Sequence, residues 1–242
     1  LNKAYDQSIT GRPGPVWIDV PLDIQGTSCN FSELKKYNIK KEKKIVLKQS
    51  ILKKIDKMIK KSKRPVFWFG NGIKLSNAKK LMPQLLKKYP IPFFLSWSAV
   101  DLLPSNHKLN FGRPGVYGNR ASNLILQSSD LIISIGTRMS IPMIGYVHEE
   151  FARKSKIICV DIDPSETKKL AKKINIKVNI DAGIFIRNLI SNKIIKNLNF
   201  KSISNWTHYC KKTLRNFPHL EKIAHKDDKG FINSYNFLEK FS

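Results

Sequence analysis

Acidic residues are scarce in this chain. Eighteen Asp and Glu stand against 44 Lys and Arg, giving a formal net charge of +26. Such a charge raises a nucleic-acid partner. The cations are spread along the chain rather than gathered in one stripe, and Ile, Asn and Lys are abundant together. A lysine-rich surface set by compositional bias accounts for the charge, and no nucleic-acid partner is expected. Cysteine is scarcer still: Cys29, Cys159 and Cys210 lie far apart. An odd, sparse count excludes a disulfide framework and fits a reducing cytoplasm. His208 and Cys210 are close in sequence, but no second pair has ligand spacing, so no metal site is expected. No apolar run reaches membrane-spanning length and no signal peptide is visible, which predicts a soluble protein without a membrane partner. The first residue is Leu1, so the amino terminus reads as a cut edge. Gly-x-Ser-x-Gly, a Walker loop and His-Glu-x-x-His are all missing. His148-Glu149-Glu150 sits in a polar stretch and reads as exposed, and His107 is a weaker acid–base candidate. No catalytic residue is assigned. The four tryptophans read as core or linker packing.

What is present is organised around Pro65-Val66-Phe67-Trp68-Phe69-Gly70-Asn71-Gly72. The apolar run reads as a strand buried on both faces, and the glycines permit a sharp turn and close approach to a ligand. Before it, residues 1–10 read as the end of a helix, and Val16–Val20 as a strand between Gly11-Arg12-Pro13-Gly14-Pro15 and Pro21. Residues 24–45 read as a linker carrying the charge run Lys40–Lys44. Ile51, Ile55, Met58 and Ile59 predict a helix from Ser50, with a lysine-rich outer face. After the central strand, Ser76 is a candidate cap for a helix to Lys88, which Pro83 kinks or delays. Further strands are expected at Ile91–Ser96, Leu131–Ile135, Lys156–Asp161 and Ile174–Ile180. Helices are expected at Asn119–Ser128, at 145–154, from Asp163-Pro164-Ser165, from Asp181 to about Leu189, and at Ser204–Phe217. The alternation over 50–190 predicts an α/β fold: a doubly wound, mostly parallel sheet with helices on both faces.

Only half of the dinucleotide fingerprint is present, because Leu75 stands where a third glycine belongs and no acid follows the second strand. Three strand ends converge instead: Gly70–Gly72, Gly136-Thr137-Arg138 and Asp161-Ile162-Asp163. Arg138 suits a pyrophosphate, and an acid suits ribose or ribityl hydroxyls. The alternative is that Asp161 and Asp163 cap a helix and Arg138 pairs with one of them.

Read together, three segments resemble the thiamine-diphosphate-dependent enzymes, and acetolactate synthase large subunits among them. Ser8–Asp23, with Gly11-Arg12-Pro13-Gly14-Pro15-Val16, is similar to the end of their pyrimidine-binding domain. Residues 50–190, with Val160-Asp161-Ile162-Asp163-Pro164-Ser165-Glu166, resemble their central domain, which is FAD/NAD-binding-like. Gly230–Tyr235 is similar to the start of their pyrophosphate-binding domain. The resemblance divides the chain into 1–25, the end of the pyrimidine-binding domain; 26–47, a linker; 48–192, the central α/β domain; and 193–242, a linker and the start of the pyrophosphate-binding domain. It implies 2-oxo acid decarboxylation and carboligation in an intact enzyme that uses thiamine diphosphate and Mg2+. The activating glutamate and the Gly-Asp-Gly…Asn motif of that family are not in this chain, so a fragment lacking both catalytic ends is expected. It also implies a homodimer or homotetramer. In acetolactate synthases the central domain binds FAD. The matching positions here are Gly70, Asn71, Gly72, Ser96, Gly112, Gly136, Thr137, Arg138, Asp161, Ile162 and Asp181. Two stretches depart from the flavin-containing pattern. Arg138-Met139-Ser140-Ile141 stands for Arg-Phe-Asp-Asp, and Gly112-Arg113-Pro114-Gly115 for Gly-Met-His-Gly. A flavin site and a purely structural domain both stay open, as do a stand-alone FAD/NAD-binding module and a basic nucleic-acid-binding protein.

Overall fold

The computed structural model describes residues 1–30, 32, 34–38, 46–169, 173–192, 198–218 and 226–241. The charge run Lys40–Lys44 lies outside the described residues. The chain divides into two compact units, Leu1–Val46 and Leu47–Ser242.

Among its described residues the first unit holds two α-helices, α1 (Asn2–Ile9) and α2 (Leu22–Gln25). The Tyr37 hydroxyl donates to Asp6 Oδ2 at 2.6 Å. Val16–Val20 joins no ladder, so the expected strand does not form. An isolated strand has no partner for its backbone groups, and here Trp17 is 90% exposed.

The second unit is built on one parallel sheet. Its strands are β1 (Pro65–Phe69), β2 (Phe93–Leu95), β3 (Leu131–Ile135), β4 (Lys156–Asp161) and β5 (Ile174–Asn179). They run in the order β2-β1-β3-β4-β5, with Phe67 paired to Phe93 on one side and Ile133 on the other. Val66, Phe67, Trp68 and Phe69 are all fully buried. Each such side chain contributes roughly 1.5–3 kcal/mol on burial, against about 1 kcal/mol for a ladder hydrogen bond, so two-sided packing holds β1 at the centre.

Alternate side chains point to opposite layers. Phe67, Phe69, Ile133, Ile135, Ile158 and Val160 pack under α3 (Gln49–Lys61), α5 (Met82–Lys88) and α9 (Ala182–Ser191). Val66, Trp68, Ile132, Ile157 and Cys159 pack under α6 (Arg120–Ser128) and α10 (Phe200–Asn216). The predicted doubly wound sheet with helices on both faces is therefore what forms. Helix α10 is fastened by Ile203, Trp206 and Cys210, all buried, and the Trp206 indole donates to Pro65 O at 3.0 Å.

Several local expectations shift. Ser76 does not start a helix. It ends the short α4 (Gly72–Leu75), its hydroxyl donating to Ile73 O, and Pro83 sits in the first turn of α5 where its missing N–H costs nothing. The helix expected at 145–154 is a run of turns, and a single helical turn, α7 (Ile141–Ile144), precedes it. Helix α8 (Pro164–Lys169) follows β4 as expected, and α11 (Ser234–Phe241) closes the described chain.

Candidate functional site

Strand order places β1 and β3 side by side, while the connections from them leave in opposite directions. The loops after their carboxyl ends therefore part, and an open α/β sheet binds its ligands at such a switch point. Gly70–Gly72 follow β1, Gly136–Arg138 follow β3, and Asp161–Asp163 end β4, so the three predicted strand ends share this rim.

The glycines let the ends of β1 and β3 close on one another. A Cβ on Gly70 would lie 2.0 Å from Gly136 O, and one on Gly72 would lie 2.7 Å from Gly136 Cα. Gly136 itself has φ +60° and would meet Gly72 Cα at 2.8 Å. Gly70 N donates to Ile135 O at 3.0 Å and Gly72 N to Gly136 O at 3.1 Å. The space freed by the missing side chains is filled by the chain's own backbone. Thr137 is buried beneath this knot, its hydroxyl donating to Trp68 O at 3.0 Å. Asn71 is half-buried beside it.

Arg138 stands at the rim with a largely exposed side chain. Its Nε lies 3.2 Å from Oε1 of Glu166, a buried carboxylate in the first turn of α8. Lys169 Nζ takes the other oxygen at 2.6 Å. The partner of Arg138 is thus neither Asp161 nor Asp163. Asp161 is buried and accepts from Asp163 N at 3.0 Å, and Asp163 accepts from Ser165 N at 2.8 Å, the geometry of a helix cap. Ile162, between them, is exposed. Asp181 caps α9, accepting from Ile184 N at 3.0 Å.

Ser96 and Gly112 shape the side of the rim beyond β2. Ser96 is buried, and its amide donates to Phe69 O at 2.9 Å. Gly112 has φ +85° and a Cβ there would lie 2.7 Å from the Ser122 hydroxyl. Beside them opens a cavity of about 530 Å³ lined by Trp97, Val100, Arg113 and Tyr117. A smaller one of about 170 Å³ includes Leu95, Asn110, Gly112 and Asn119. The Trp97 and Tyr117 rings stand 5.1 Å apart, and both are exposed.

These four lining residues were not among the expected site. Trp97 is no core tryptophan: its place directly after the strand-ending Ser96 was the available signal. Arg113 lies in a stretch noted only for departing from the flavin-containing pattern. His107 turns out structural. Its ring packs 5.4 Å from Phe93, its Nδ1 accepts from Leu109 N, and burial, with Lys108 nearby, lowers its pKa. His148-Glu149-Glu150 falls in the turns before β4, with both glutamates exposed. Among the described residues no group of three His, Cys, Asp or Glu is placed to hold a metal ion.

Arg113 and the aromatic pair line the open groove, whereas Gly70–Gly72, Gly136–Arg138 and Asp161–Asp163 line neither of these two cavities and add an exposed guanidinium and buried carboxylates at neighbouring strand ends. That set suits a flat, phosphate-bearing and hydroxyl-bearing ligand.

Comparison with known proteins is consistent with this geometry. The family described as "Thiamine pyrophosphate enzyme, central domain" matches residues 52–189. The acetolactate synthase large subunit of Corynebacterium glutamicum is 31% identical over 219 residues, covering 90% of this chain and 35% of that protein. Acetolactate synthase isozyme 1 large subunit of Escherichia coli is 34% identical over 190 residues, 78% of this chain and 33% of that protein. A probable acetolactate synthase large subunit of Methanococcus aeolicus is 33% identical over 222 residues, 85% of this chain and 36% of that protein. The chain thus spans about a third of the length of these relatives, and with the matched sheet at its centre it belongs to the thiamine pyrophosphate enzyme family, whose central domain it carries.

Proposed function

We propose that this chain is the middle portion of an acetolactate-synthase-type enzyme, and that its switch-point rim binds FAD. The observation that carries the first part is similarity to large subunits across 90% of the chain. In the whole enzyme, thiamine diphosphate supplies the nucleophile and electron sink for 2-oxo acid decarboxylation and carboligation. The groups that hold it and Mg2+ belong to other parts of that enzyme, since no Gly-Asp-Gly occurs here. A homodimer or homotetramer and a cytoplasmic location complete the reading. The three unpaired cysteines favour the latter, and no helix among the described residues is long and apolar enough to cross a membrane.

For the flavin, the residues present fit in a particular way. Arg138 and Arg113 are the exposed cations for a pyrophosphate, and Asp161 is the carboxylate for hydroxyls. Trp97 and Tyr117 form a wall for a ring. The Gly70–Gly136 contact holds the ends of β1 and β3 close together. Arg138 must leave or share Glu166 to engage a phosphate, which Lys169 permits by holding the other oxygen.

Titration of the chain with FAD, read by quenching of flavin fluorescence, tests the proposal. Arg138→Ala is expected to weaken binding roughly 10- to 150-fold, the worth of a charge-assisted hydrogen bond. A chain that leaves flavin fluorescence unchanged would sink the flavin reading and favour a structural central domain, in which Arg138 serves Glu166 alone.

A further inference from the structure

A second cavity system lies at the opposite, amino-terminal end of the strands, away from the rim. A cavity of about 920 Å³ opens between the loop entering β1, the end of α6, the turn before β4 and α10. Lys63, Arg64, Arg153 and Lys154 line it, against one carboxylate, Glu150. Glu150 reaches Arg153 at 3.1 Å. A neighbouring cavity of about 500 Å³ shares Lys154 and adds Lys54, Lys57, Lys61 and Lys156.

The backbone under these cations is held in place. Asp130 accepts from Lys63 N at 2.8 Å and Arg64 N at 3.0 Å, and also from the Ser62 hydroxyl. Its carboxylate is thereby engaged by the loop that carries Lys63 and Arg64. Ser155 donates to Ser129 O at 2.7 Å, tying the entry of β4 to that of β3. Gln127 Nε2 reaches Glu150 O at 3.4 Å. The cations therefore project from a fixed frame rather than from mobile ends. On the facing wall, the Tyr209 ring stacks on Trp206 with centroids 5.3 Å apart and planes 13° from parallel. Trp206 is buried, whereas Tyr209 is 46% exposed, which leaves an aromatic surface turned outward.

We propose that this end of the sheet is a binding site for a nucleoside polyphosphate. A lone phosphate fills a small part of the cavity, and an apolar ligand gains nothing from a ring of cations. A ligand with several negative charges and one flat aromatic ring uses both features: phosphates against Lys63, Arg64, Arg153 and Lys154, and the base against Tyr209. The adjoining lysines extend the positive field that draws such an anion in. The site is separate from the rim and does not depend on flavin binding there.

ATP and inorganic tripolyphosphate are the probes, measured by equilibrium dialysis against the full chain at fixed ionic strength. Two charge reversals on separate loops, K63E/R64E and R153E/K154E, are each expected to weaken ATP at least about tenfold, with folding verified by circular dichroism. K80E/K87E removes the same charge from exposed positions elsewhere and is expected to leave ATP binding intact, as is Arg138→Ala. Tyr209→Ala is expected to weaken ATP while sparing tripolyphosphate. Absence of saturable ATP binding overturns the proposal, and so does an equal loss in K80E/K87E, which would mark diffuse attraction. Loss in Arg138→Ala would put the nucleotide at the rim and overturn it as well. If Tyr209→Ala affects both probes alike or neither, the base has no seat there and the nucleoside assignment fails.

Discussion

Replacing Gly70 with alanine puts a methyl carbon 2.0 Å from Gly136 O, 2.5 Å from Gly136 C and 2.5 Å from Thr137 Cα. All three atoms are backbone, so no side chain can rotate away. An ordinary carbon–oxygen contact needs more than an ångström of extra separation between the ends of β1 and β3. That movement strains the hydrogen bonds from Gly70 N to Ile135 O and from Gly72 N to Gly136 O. Losing two such bonds costs about 2 kcal/mol and the overpacking a further ~1–3 kcal/mol, so the expected loss is roughly 3–5 kcal/mol. For a domain of this size that is a fall in melting temperature of about 6–20 °C. Two other glycines calibrate it. Gly145 has φ +84° and Gly14 an ordinary φ, and neither has an atom within 4 Å of the added carbon. Gly145→Ala is expected to cost about 1–3 kcal/mol from backbone strain alone, and Gly14→Ala less than about 0.5 kcal/mol. Urea unfolding read by the fluorescence of Trp68 and Trp206, buried in the unit that holds Gly70 and Gly145, compares those two variants, and Gly14→Ala, in the other unit, is expected to leave that midpoint unchanged. A Gly70→Ala protein within about 1 kcal/mol of the parent would refute the close backbone packing, given the steepness of steric repulsion.

Two more outcomes follow from burial. Trp206→Phe keeps an aromatic ring, smaller than the indole, but leaves Pro65 O without its indole donor, and is expected to cost roughly 1–3 kcal/mol in urea unfolding; an unchanged midpoint would show that α10 is not anchored there. Of the three thiols, Cys29 is exposed and is expected to react with a thiol reagent at neutral pH in the folded chain, while Cys159 and Cys210 react only on unfolding. Burial pushes the Cys159 thiol up to about 12 from 9.0, with Asp161 and Glu166 adding to the shift. Above pH 9 the unfolded chain gives up a proton that the folded one keeps, so this group's contribution to stability falls as pH climbs from there towards 12; rapid native labelling of Cys159 would contradict its burial.

The parts of the fold that could be read from sequence are those with a strong local signal. Leu131–Ile135 and Lys156–Asp161 are short apolar runs with turn residues behind them, and their strand bounds match the structure. Asp181 and Asp163 announce helix starts by residue type alone. What resisted reading depends on neighbours distant in the chain. Nothing in the sequence near Gly70 announces that the Gly136 backbone packs against it. Arg138 finds Glu166 on a helix beyond the next strand rather than the nearer aspartates. Trp97 belongs to a residue type usually buried, and only its position at the exposed end of β2 turns it outward. Val16–Val20 alternates like a strand, but alternation cannot supply a partner.

The indole bond between Trp206 and Pro65 joins residues 141 positions apart in sequence. During synthesis the central strand therefore leaves the ribosome well before the helix that covers one of its faces. At about 5–20 residues per second the interval is roughly 7–28 s, and folding of that layer cannot be completed within it. Until α10 emerges, Trp68, and then its neighbours on β3 and β4 as they are made, lack that cover, and only α6 and side chains such as Phe111 and Phe151 can pack on the layer. The order of residues along the chain thus gives the nascent protein an apolar face that grows strand by strand and is closed only when α10 arrives.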